Sequence, residues 1–173
     1  SVLLLSALRK HGLRRTVAVT VVEPRDAQGL GVAYSTNCAV HLLNTRALNM
    51  SVTEDSDDFL RWLRAAHPRR VLNWTRNDFA PRRYFGEYLR EKVRELSAAP
   101  NLKVSWAQAS VDAVIPADDG WEVVLSRGAA LPADIVVLAT GNETPRGVGG
   151  NLPRQGQPMV INDSRDATQK SGI

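Results

Sequence analysis

The segment IVVLATGNETP, residues 135–145, passes from branched apolar side chains directly into Ala139, Thr140 and Gly141. Small residues at the end of an apolar run have two explanations. Gly supplies the freedom of a turn, or something large lies against the backbone and no side chain may intrude. Glu23 closes a second apolar run, TVAVTVV at 16–22. In dinucleotide-binding βαβ units an acidic residue stands at the end of the second strand, roughly 20 residues past a glycine-rich turn. Its two carboxylate oxygens match two cis hydroxyls of a ribose. The ordinary alternative is a solvated strand end. Gly29 and Gly31, in GLGVAYS, either take a positive φ in a turn or let the backbone approach a ligand closely. His41 and Asn44 frame two leucines in HLLNTRALNMS. They either bond neighbouring backbone or, in the case of Asn44, offer an amide to the edge of a bound ring such as a flavin. Arg82, in FAPRRYFGEYL, reaches a phosphate or ribose, or pairs with Glu87 or Asp78.

The elements that must position these residues follow from periodicity. Val2, Leu3, Leu5, Leu8 and Leu13 recur at helical spacing, and His11-Gly12 ends the run. The valine-rich stretch from Thr16 to Pro24 has the composition of an inner, parallel strand buried on both faces. Residues 25–52 form a long irregular segment, but Val32, Tyr34, Val40, Leu42, Leu43 and Leu48 give it enough apolar content to pack down. Ser56 is placed to cap a helix with Asp57 and Asp58 in its first turn, where the helix dipole favours acid. Phe59, Leu60, Leu63 and Ala66 form its apolar face, and His67-Pro68 ends it. A second helix opens at Pro81; Tyr84, Phe85, Tyr88, Leu89, Val93 and Leu96 are its buried stripe, and Ala99-Pro100 closes it. The period then changes to that of short strands at 103–107, 108–115 and 121–126. Asp118-Asp119-Gly120 marks a hairpin between the last two. These three are expected to form an antiparallel meander, and residues 134–138 another parallel strand. A helix followed by a buried strand implies a strand before the helix, so a first strand missing from the chain is expected.

Length and composition bound the class. The 173 residues suffice for one domain with a core. The hydrophobic share of 43% and charged share of 23% are those of a globular protein. The net charge of +4 comes from Arg scattered among Asp and Glu, without repeated aromatic interleaving, so no nucleic-acid partner is expected. The single cysteine, Cys38, forms no internal disulfide, which favours a reducing, cytoplasmic setting. The opening SVLLLSAL is too short to span a bilayer, and no membrane association is expected. The excess of Arg over Lys suggests a GC-rich bacterial genome.

VVEP, GLGVAYS, HLLNTRALNMS, DFLRWL, FAPRRYFGEYL, the DDGWEV hairpin and VVLATGNETP occur in this order. Together they resemble the FAD-NAD(P)-binding family of bacterial flavoproteins, with the glutathione-reductase type of two-dinucleotide fold. The resemblance implies an α/β, Rossmann-like FAD-binding domain over residues 1–145, with a parallel sheet, helices and a three-stranded antiparallel meander. Residues 146–173 become a linker toward an NAD(P)-binding domain outside this chain. The missing strand and the absent first glycine fingerprint make the chain a fragment in this reading. The same resemblance gives Glu23 to the FAD ribose, puts Arg82 near FAD, and lets Val111 meet the adenine through its backbone. It also brings Ala139, Thr140 and Gly141 beside the FAD pyrophosphate; Gly29, Gly31, His41 and Asn44, read from their residue types above, complete the expected cofactor site. His11, His41 and His67 lack metal-ligand spacing, Cys38 has no CxxC partner, and no Gly-x-Ser-x-Gly elbow occurs. A flavoprotein needs none of these, because the cofactor carries the chemistry. The expected function is FAD-dependent oxidation or reduction of a small molecule with NAD(P)H, as a reductase or monooxygenase. The alternative is a non-catalytic nucleotide-binding or regulatory module.

Overall fold

The computed structural model describes residues 1–11, 13–26, 28–71, 73–126 and 128–141. The chain divides into two units, Ser1–Leu138 and Ala139–Ile173, and every element named below lies in the first.

Helix α1 (Val2–Lys10) buries Val2 and Leu5 and ends with Arg9 and Lys10 in its last turn, where cations complement the helix dipole. Strand β1 (Val17–Val22) pairs in parallel with β2 (Leu102–Ala107), from Val17↔Leu102 to Val22↔Ala107. Val17, Val19, Val104 and Trp106 pack on the helical core. The opposite face carries Ala18 and Thr20, both exposed, and Thr20 Oγ1 meets Ser105 Oγ across the pair at 2.9 Å. The valine-rich strand is therefore covered on one face, not on both as its composition suggested. Its alternate positions hold small or polar side chains that tolerate water.

The core is built on α5 (Arg82–Ser97). All six residues of its expected stripe, Tyr84, Phe85, Tyr88, Leu89, Val93 and Leu96, are buried. Helix α3 (Asp58–Ala66) buries Phe59, Leu60 and Leu63, and Phe59 and Leu63 join the core cluster of α5. Phe59 meets Phe85 edge-on, with ring centroids 5.1 Å apart, an arrangement favoured by the ring quadrupoles. Helix α3 starts at Asp58, with Asp57 as its N-cap and no side-chain cap bond. The Ser56 hydroxyl instead accepts from Arg76 Nη2 at 2.9 Å. The first turn is served from outside: Ser51 Oγ accepts the Phe59 N–H at 3.2 Å. A short α4 (Pro68–Val71) follows.

The long segment after β1 packs down only in part: Leu43 is buried, Tyr34 and Leu48 are half-buried, and Val32, Val40 and Leu42 are exposed. It forms α2 (Gly31–Tyr34) and a 3₁₀ turn at Ala47–Asn49, and buries Leu30, Leu43, Ala47 and Met50.

The meander consists of β3 (Val111–Ala117), β4 (Gly120–Leu125) and β5 (Ala130–Ala133), in that spatial order. A three-stranded antiparallel meander is present, but its membership differs from expectation. Residues 102–107 belong to the parallel sheet, and β5 takes the third place. Residues 135–138 form no strand. Ile135 is 81% and Leu138 77% exposed. An apolar run becomes a strand only when a neighbour completes its ladder, and among the described residues β1 pairs with β2 alone. The expected linker at 146–173 lies outside the described residues.

Candidate dinucleotide site

Because β1 and β2 are parallel, their carboxyl ends lie at one edge of the sheet, where open α/β sheets bind ligands. Glu23 follows β1 at that edge. Its N–H donates to the Ala107 carbonyl at 3.0 Å, extending the ladder by one residue. Its half-buried carboxylate receives Arg25 Nε at 2.8 Å on Oε1 and Arg25 Nη2 at 3.1 Å on Oε2. The Arg25 N–H adds a longer bond to Oε1 at 3.3 Å. The Arg25 side-chain bonds hold the Glu23 pKa below its ordinary 4.5, against the opposing effect of burial. A carboxylate offers about four lone-pair sites, so Arg25 leaves Glu23 able to accept from further donors. Sequence reasoning did not find Arg25; a cation two residues past a strand end has no periodic signature.

The two glycines separate into different roles. Gly29 has φ +78°, and a Cβ there would lie 2.8 Å from Val93 Cγ2 and 3.1 Å from Val2 Cγ2. It lets the loop pass against α1 and α5, which is packing. Gly31 has φ +60°, and the space a Cβ would enter is open.

His41 and Arg82 are brought together at an isolated bridge between Leu42 and Pro81. The Arg82 N–H donates to the His41 carbonyl at 2.7 Å, and Arg82 Nε to the Leu42 carbonyl at 3.0 Å. Neither expected acidic partner takes Arg82: Asp78 accepts from Thr75, and Glu87 bonds His67 Nε2 at 2.9 Å. His41 Nδ1 meets Thr36 Oγ1 at 3.2 Å, and Asn44 is exposed. Val111 sits on β3 opposite Leu125, in the antiparallel sheet, and is 43% exposed. Ala139, Thr140 and Gly141 belong to the second unit; Gly141 has φ +72°, a conformation that favours glycine.

Among the described residues, no group of three or more His, Cys, Asp or Glu side chains is arranged to hold a metal ion. No described helix is long and apolar enough to cross a membrane.

A parallel β1–β2 pair packed with helices, together with a three-stranded antiparallel sheet, is an α/β arrangement consistent with a dinucleotide-binding domain. Residues 1–143 match the FAD-NAD(P)-binding family, and the chain belongs to it. No curated protein matches the chain.

Proposed function

We propose that this chain is the FAD-binding part of an NAD(P)H-linked flavoprotein oxidoreductase of the glutathione-reductase structural type. The observation that carries the reading is Glu23. It is a half-buried carboxylate at the carboxyl end of a parallel strand, aligned by its ladder bond to Ala107, with acceptor capacity left beside Arg25. FAD, when bound, supplies the redox chemistry, and the chain's residues bind and orient it. Glu23 accepts from the ribose hydroxyls. Gly31 allows close approach of the backbone. Arg82, steered by the Leu42 carbonyl, presents its remaining N–H groups, and Asn44 offers an exposed amide. For Ala139, Thr140 and Gly141 the support is their small size and the resemblance. NAD(P)H supplies reducing equivalents through a domain of its own, and the substrate is a small molecule.

Quenching of flavin fluorescence on titration with the full-length apoprotein tests this. Saturable binding at one FAD per chain is expected. A folded protein that leaves flavin fluorescence unchanged would rule the reading out.

A further inference from the structure

Beyond the cofactor site, we propose that a pocket between the loop leaving α2 and the exposed side of α5 binds a small oxyanion, a carboxylate or phosphate group. Ser35, Thr36 and Asn37 form one wall, and Arg83, Glu87 and Arg90 the other, enclosing about 210 Å³. None of the residues assigned to the dinucleotide lines it. The volume lies below the roughly 300–1,000 Å³ of pockets for drug-sized ligands, so the occupant is a small group.

The spacing of 83, 87 and 90 puts these side chains along one face of α5. The lining carries two guanidinium groups against one carboxylate. Glu87 bonds His67 Nε2 at 2.9 Å, and its one negative charge is outnumbered by the two guanidinium groups. Among the described residues neither Arg83 nor Arg90 forms an ion pair.

Arg83 is held in place. Its guanidinium lies 4.7 Å from the Tyr84 ring centroid, and Nη2 donates to the Tyr84 hydroxyl at 3.0 Å. Its Nε is buried and has no partner among the described residues. An oxyanion offers acceptors in the geometry of the guanidinium fork, as ammonium-type recognition would not. The facing wall is also fixed: Thr36 Oγ1 accepts the Cys38 N–H at 3.1 Å and meets His41 Nδ1 at 3.2 Å.

The test is isothermal titration of the full chain with inorganic phosphate and, separately, with acetate, at constant ionic strength set by NaCl. Saturable one-site binding of at least one of these anions is expected. Arg90→Gln should weaken it roughly tenfold or more, the loss expected for a hydrogen bond to a charged group. Arg90 is exposed, so its replacement leaves the core intact, and an unchanged melting curve checks this. Arg83→Lys keeps the charge, removes the fork and should also weaken binding. FAD affinity should be the same in Arg90→Gln as in wild type. Absence of saturable binding, or equal binding in Arg90→Gln, would overturn the proposal. So would a parallel loss of FAD affinity, which would make the pocket part of the dinucleotide site. Anion binding by a protein that takes up no FAD would leave this inference standing while the flavin reading fails.

Discussion

The Glu23 carboxylate is shared between Arg25 and whatever else approaches the end of β1. If that partner is a ribose, Glu23→Gln keeps the size and removes the charged acceptor. A bond to a charged group contributes on the order of 1.5–3 kcal/mol, so FAD affinity should fall roughly tenfold to a hundredfold. Glu95→Gln, at a side chain paired with Lys92, should leave FAD affinity unchanged. Equal affinity in wild type and Glu23→Gln would reduce Glu23 to a strand end bound to Arg25. The pair also fixes a pH dependence. Hydrogen bonding to Arg25 lowers the Glu23 pKa from its ordinary 4.5. A depressed carboxylate contributes stability that is complete above the unfolded value and is lost as pH falls through the folded value. The stability difference between wild type and Glu23→Gln, from urea melts, should therefore be constant above pH 4.5 and shrink below it. The position of Glu23 was legible in the sequence because the valine run stops there. Its pairing with Arg25 was not, because a local ion pair across Pro24 leaves no pattern.

Helices α2, α3 and α5 meet through contacts that single atoms control. Gly86 lies in α5 where a Cβ would fall 2.4 Å from the Tyr34 carbonyl oxygen. Backbone cannot swing aside as a flexible side chain can, so Gly86→Ala must push α2 from α5. Overpacking of this kind costs about 1–3 kcal/mol, measurable as a lower urea midpoint; an unchanged midpoint would mean that α2 docks loosely. Tyr88 joins α5 to α3. Its hydroxyl donates to Asp58 Oδ2 at 2.6 Å and accepts the Val52 N–H at 3.2 Å, and Tyr88 is fully buried. Burial and the bond to Asp58 push its pKa far above the usual phenol value, so it stays a donor. Tyr88→Phe leaves both partners short of a bond and should cost about 1–3 kcal/mol. The α5 stripe was legible because helical periodicity records which side chains face the core. Strand partnership was less legible. Residues 102–107 and 111–117 both lie in runs with the period of short strands, yet one pairs with β1 and the other with β4. A strand's period says nothing of its neighbour. Strand β5 was missed because Ala130–Ala133 includes Pro132 and no β-branched residue, a composition tolerated at a sheet edge. Residues 135–138 had the composition of a strand but lack a partner among the described residues.

At the scale of the whole molecule, membership of the FAD-NAD(P)-binding family and the carboxyl-edge site support one account. In the proposed account the chain would present a bound flavin to a nicotinamide and to a small substrate. The net charge of +4 is carried in part by described cations with known partners. Arg25, Arg61, Arg76 and Lys92 pair with carboxylates, while Arg83 and Arg90 line the pocket beside α5. The measurement closest to the central claim is anaerobic mixing of the FAD-loaded full-length protein with NADH or NADPH. The account predicts that the flavin absorbance band bleaches within catalytic turnover times with one of the two nucleotides and returns when oxygen or a substrate is admitted. A protein that binds FAD stoichiometrically, yet keeps its oxidised spectrum with both nucleotides, would contradict the oxidoreductase account and leave a nucleotide-binding module in its place.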